Sequence, residues 1–181
     1  MTPSRQLLQH FLAALAYRTQ KALRGAPEDF ADFRAATHVR TPHELLWHMT
    51  GLIGYARTKF HAGEYRPPRM ETFDEEIERF HTLLEGLRDD IGDTSLDAEI
   101  SDEQLLHGPL ADAMTHAGQL AMLRRLAGSP VASEDFIFAR ISAENVGPAQ
   151  AEPAAPDLGW RPDQPPQPPG PVWERSADTK E

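Results

Sequence analysis

Two stretches of this chain carry almost no charge. Residues 45–56 have none, and residues 104–123 have a single one, Asp112. Both have the length and spacing of helices. A helix at a protein surface keeps a solvated polar face, and one without such a face has to be surrounded by other elements. The chain must therefore supply enough helical partners to wrap both stretches. That requirement predicts an all-α protein, an antiparallel four-helix bundle.

The partners can be read along the chain. A first helix is predicted over residues 3–23, with Thr2 as cap and Pro3 at the first helical position. Leu8, Phe11, Leu12 and Leu15 form its apolar stripe. Gly25, Ala26 and Pro27 stop it, and Phe30 and Phe33 follow as pins onto the core. Thr41-Pro42-His43-Glu44 is a capping box that opens the second helix, the first of the uncharged stretches. Thr72 and Glu75 open a third in the same way. Its Phe73, Ile77, Phe80, Leu84, Leu87 and Ile91 share one face, and its other faces are charged. Ser101 and Gln104 cap a lead-in turn. Pro109 then either kinks this segment or starts the fourth helix afresh. That helix ends at Gly128, with Pro130 beyond. One of its faces, with Ala111, Thr115 and Gly118, is small enough for close helix approach. Residues 133–143, with Phe136, Ile137, Phe138 and Ile141, predict a short extra C-terminal helix, with a strand as the alternative. From residue 146 onward the chain holds 9 of its 16 prolines. The division expected is a helical domain over residues 1–145 and a proline-rich extended or disordered tail over 146–181, with Trp160 and Trp173 as anchors.

The chemistry lies on the two uncharged helices. Asp112 and His116 are four residues apart, one above the other on a helix face. Leu105 and Leu123 bracket them, which predicts an inward-facing pair. His48 is the only group titrating near neutral pH in residues 45–56. Two imidazoles and a carboxylate on facing helices form a candidate metal site with coordination positions left open, as catalytic sites have. Zn, Ni, Fe and Mn all fit that ligand set. Gln119, one turn beyond His116, and His107, little more than a turn before Asp112, are candidates for the surrounding shell. The competing reading makes Asp112 and His116 a structural i,i+4 ion pair and His48 a hydrogen-bonded core residue.

The chain has no cysteine, so disulfides, zinc thiolates and a cysteine nucleophile are excluded. Its formal net charge of -10 argues against nucleic acid or an anionic membrane as the main partner. No apolar run is long enough to span a bilayer, and Arg5 and His10 interrupt any signal-peptide pattern. A cytoplasmic protein acting on a small molecule is the expectation.

Two of these segments also carry a family resemblance. Residues 116–128, His-Ala-Gly-Gln-Leu-Ala-Met-Leu-Arg-Arg-Leu-Ala-Gly, resemble the fourth-helix motif of the DinB-like superfamily. This is the damage-inducible and thiol-dependent transferase group, unrelated to the DNA polymerase that shares the name. Residues 44–49, Glu-Leu-Leu-Trp-His-Met, resemble that family's second-helix segment with its ligand histidine. The similarity in organisation covers about residues 3–144. It implies an antiparallel four-helix bundle, often a homodimer, with a divalent metal held by His48, Asp112 and His116. Asp112 departs from the pattern, which more often has histidine there. The resemblance further implies a metal-dependent S-transferase that uses a low-molecular-weight thiol in detoxification or stress response. A hydrolase using metal-activated water would employ the same ligands. A non-catalytic metal-binding or interaction bundle is the alternative from another class.

Overall fold

The computed structural model describes residues 1–157. Its long helices are α1 (Pro3–Leu23), α2 (Pro42–Arg57), α3 (Phe73–Gly92) and α5 (Ala111–Leu126). A one-turn helix α4 (Asp102–Leu105) and a π-helical segment (Leu106–Leu110) lead into α5. Short 3-10 turns cover Glu28–Asp32 and Phe136–Phe138. Among the described residues there is no strand, only an isolated bridge between Glu134 and Pro156. No helix among them is long and apolar enough to cross a membrane.

The capping signals form as the sequence predicts. Thr41 Oγ1 accepts from Glu44 N at 3.2 Å while Glu44 Oε2 accepts from Thr41 N at 2.8 Å. The boxes at Thr72–Glu75 and Ser101–Gln104 are closed likewise. Each satisfies amides that the first helical turn leaves without partners.

Helix α1 packs against α3 and α5, and α2 packs against the same two, so the four enclose one core. Leu12, Leu15, Leu46, Met49, Ile53, Phe80, Leu84, Leu87, Leu110 and Leu120 are fully buried there. Burying each such side chain contributes about 1.5–3 kcal/mol. Helix α2 behaves as an uncharged helix must: all but a narrow edge is covered, and that edge exposes Trp47 and Tyr55. Gly54 lets the Tyr65 ring lie against α2, where a Cβ would stand 2.1 Å from Tyr65 Cδ1.

Pro109 stands at a kink, one of the two outcomes its position predicts. It lies inside the π-helical segment, where Gly108 at φ -84°, ψ -108° leaves the helical path. Proline has no N–H to continue the ladder, and the segment absorbs the break. The small face of α5 also differs from expectation. Thr115 and Gly118 are exposed, and Met122 is 54% exposed. Gly118 and Met122 line a cavity of about 370 Å³ bounded by Arg18 and Phe136, instead of packing on a helix.

The predicted C-terminal helix is a single 3-10 turn. Phe136 stacks edge-on with Tyr17 and lies under the Arg18 guanidinium at 3.7 Å. Ile137 and Phe138 face solvent at 85% and 64% exposure. Only one of these neighbouring apolar residues finds partners, so no buried stripe exists to stabilise a helix.

Beyond residue 145 the chain is tied to α3 and the end of α1 as far as residue 152, and residues 155–157 pair with the 133–135 segment. Val146 is fully buried, and its carbonyl accepts from His81 Nδ1 at 2.7 Å. Arg24 donates to Gln150 O at 2.7 Å and pairs with Glu152 at 2.8 Å. Asp135 N donates to Ala155 O, and Asp157 N to Ser133 O. Trp160, Trp173 and the proline-rich run at 164–171 lie outside the described residues.

His81 carries a pH prediction. Burial holds its pKa below the ordinary value of 6.5, outweighing the Val146 hydrogen bond that opposes the shift. The pKa values of His43 and His48 are lowered too, each mainly by burial. For groups shifted downward, the unfolded chain takes up protons first as pH falls. Stability should thus be undiminished above about pH 6.5 and decline below it, before the carboxylates titrate near pH 4. Urea midpoints at pH 7.5 and pH 5.5 test this. A midpoint that stays level or rises at pH 5.5 contradicts it.

Candidate metal centre

Helices α2 and α5 bring the candidate ligands together. The capping box fixes where α2 starts, and His48 lies one turn beyond Glu44. On α5, Ala113, Ala117, Leu120 and Leu123 are buried, which turns His116 inward at 8% exposure. Asp112, one turn earlier, is left at the rim with its side chain 49% exposed. The pair predicted to face inward is therefore half inside and half at the mouth. Asp112 also lies in the first turn of α5, where a carboxylate is favoured by the helix dipole.

Asp112 Oδ1 is 3.2 Å from His116 Nε2. The His48 and His116 rings meet edge to face with centroids 4.8 Å apart. One donor atom from each of His48, Asp112 and His116 lies within 4.8 Å of the other two. Donors about 2.1 Å from one ion are roughly 3.0–4.2 Å apart. The Asp112–His116 separation meets this as it stands, and the His48 donor lies within 4.8 Å of both. Nitrogen, nitrogen and carboxylate oxygen form a set suited to Zn, Ni, Fe or Mn. The residues thus fit a divalent ion.

Hydrogen bonding prepares His116 for that task. Gln119 Oε1 is 2.8 Å from His116 Nδ1. A carbonyl oxygen only accepts, so Nδ1 is the donor to Gln119, and Nε2 is left as the ring nitrogen that faces Asp112. Ligand histidines commonly have such a partner on the second nitrogen. Burial, then the charges of Arg40 and His116, hold the His48 pKa below its ordinary value, with Asp112 opposing. The neutral ring is the form that binds metal. Gln119→Leu should weaken zinc binding roughly 10- to 100-fold without unfolding the chain. Competition with a chromophoric chelator reads the affinity, and an unchanged value would count against this role for Gln119.

The other histidines stand apart from the three. His107 lies on the π-helical segment, exposed, with Glu103 within reach of its charge. His61 pairs with Asp90 at 2.8 Å. His81 is buried, at 1% exposure. His43 is buried against Phe73, and its Nε2 has no hydrogen-bond partner.

Sequence reasoning passed over the surroundings of the site. A cavity of about 670 Å³ is lined by His48, Trp47, Tyr65 and the arginines at 34, 40 and 66. A second, of about 380 Å³, is lined by Gln119, Leu123 and Met122. His38, Val39 and Arg40 border both. His38 has φ 67°, the only non-glycine residue at positive φ among those described. Arg34 Nη1 donates to Val39 O at 2.7 Å and braces this loop. The only local signal was the pair of basic residues beside His38, which lacks any diagnostic spacing.

These features define a helical protein with a His-Asp-His group able to hold a metal ion. No family model, curated protein or solved structure matches the chain.

Proposed function

We propose that this chain is a divalent-metal-dependent enzyme acting on a small molecule, with the ion held by His48, Asp112 and His116. The convergence of those three residues beside a cavity carries the reading. A divalent ion supplies Lewis acidity, lowering the pKa of a thiol or water at its open positions. The chain's own residues do the rest. Gln119 orients His116, and the exposed edge of Asp112 leaves the mouth accessible. The cavity offers room for a substrate beside His48.

The resemblance of residues 44–49 and 116–128 to the DinB-like superfamily supports the finer parts of this proposal. These are an antiparallel order of the four helices, a homodimer, and transfer of a low-molecular-weight thiol to an electrophile. Metal analysis of the purified chain beside His48→Ala is the first test. Stoichiometric zinc, nickel, iron or manganese in the wild type and its loss in the variant are expected; equal content in both would refute the site. Conjugation assays with several thiols then address the reaction. Failure of every thiol, with clear turnover of an ester or amide panel, would replace the transferase by a hydrolase. Sedimentation velocity reads the dimer.

A further inference from the structure

The cavity beside His48 has a basic wall on a chain whose net charge is -10. Three guanidiniums border it, and their pairing differs. Arg34 is engaged by Glu44 at 3.3 Å. Arg66 has Glu64 at 3.5 Å. Arg40 has no carboxylate within ion-pair distance among the described residues. It lines the same cavity as His48. Its side chain is exposed, but its backbone is held, because the loop that carries it turns at His38 and is tied down by the Arg34 bond to Val39 O and by Val39 N on Ala36 O.

A guanidinium beside a site for a divalent cation opposes that cation by Coulomb repulsion. The arrangement becomes favourable when an anion lies between them. A carboxylate or a phosphate accepts from a guanidinium through two oxygens, in a geometry that fixes direction as well as distance. The 670 Å³ volume accommodates a small organic molecule on that anchor, with Trp47 as an apolar and stacking wall.

We propose that the site takes a small anionic substrate, held at Arg40 by a carboxylate or phosphate group and directed from there toward His48. This rests on the metal-centre reading for its direction, while the anion contact itself stands on the basic cavity. Arg34 and Arg66 add long-range attraction, and Arg40 makes the contact.

Calorimetric titration of the full chain with sodium succinate and with methyl phosphate, at low ionic strength and pH 7.5, tests it. Wild type should bind at least one of the two, and comparison of the two arms identifies the preferred group. Arg40→Gln should weaken that binding by about tenfold or more. Arg140→Gln, an exposed control that does not line the cavity, should leave it unchanged. Zinc affinity, measured on the same samples, should be equal or tighter in Arg40→Gln, since a repelling charge is gone. No binding of either anion by wild type, or equal binding by Arg40→Gln, overturns the proposal. If zinc fails to bind while the anions bind through Arg40, the metal reading falls and the anion site stands. If zinc binds and the anions do not, only the anion site falls.

Discussion

Replacing His116 with alanine is expected to weaken zinc binding on the order of 100-fold or more, a larger loss than any change to its surroundings produces. The substitution removes one of three donors and, with it, the group that Gln119 holds in place. His48 and Asp112 remain on different helices with no shared anchor. Calorimetric titration with zinc at pH 7.5 measures the loss, and far-ultraviolet circular dichroism checks that the helices persist. An unchanged affinity would return Asp112 and His116 to the role of an ordinary i,i+4 ion pair. Binding should also weaken as pH falls below the histidine range, because protons and metal compete for the same nitrogens.

The largest stability effect is expected at Arg124, well away from the metal centre. Its guanidinium is buried at 4% exposure and donates to Ala22 O in the last turn of α1 and to Arg24 O and Gly25 O just beyond it. It also donates to Ser129 O and Ser129 Oγ just past the end of α5. Helix C-termini leave carbonyls without partners, and one side chain serves two of them here. Arg124→Met keeps much of the volume and removes every donor. Stranded acceptors cost about 1–3 kcal/mol each when buried, although water reaches some of them after the change. A net loss of about 3–4 kcal/mol follows, or roughly 6–16 °C in Tm for a domain of this size. Thermal unfolding of the metal-free chain measures it. A drop below about 2 °C would mean that solvent replaces the guanidinium fully.

Arg124 also shows where sequence reading stops. Local patterns located what depends on neighbours in the chain. The capping boxes at Thr41, Thr72 and Ser101 announced their helices because cap and partner are three residues apart. The buried faces followed from spacing, and the scarcity of charge between Glu103 and Arg124 drew attention to Asp112 and His116. His48 joined them because α2 is uncharged as well. Arg124, by contrast, has no local signal for its contacts at α1, since those partners lie about a hundred residues away. Val146 opens the predicted tail, and its partner His81 lies 65 residues earlier, so nothing local reports their contact. Residues 133–143 predict a helix from apolar content, but Phe136 and Ile141 find partners at different places while Ile137 and Phe138 stay exposed, so no single buried stripe forms. The basic cavity was invisible for the same reason: Arg34, Arg40 and Arg66 converge through the fold and not through spacing.

The π-helical segment before α5 acts as a phase adjuster. Gly108 leaves the helical path there, so side chains beyond it do not keep the rotation that an unbroken helix would give them. Leu105 before the segment and Asp112 after it are therefore not locked to a common face by their separation of seven residues. Helix α5 can be oriented by its own contacts with α1 and α2, while α4 keeps the orientation its cap dictates. Removing Gly108 would take out the residue at the kink and force one side to turn. Asp112 and His116 would then swing off the His48 side although both are still present.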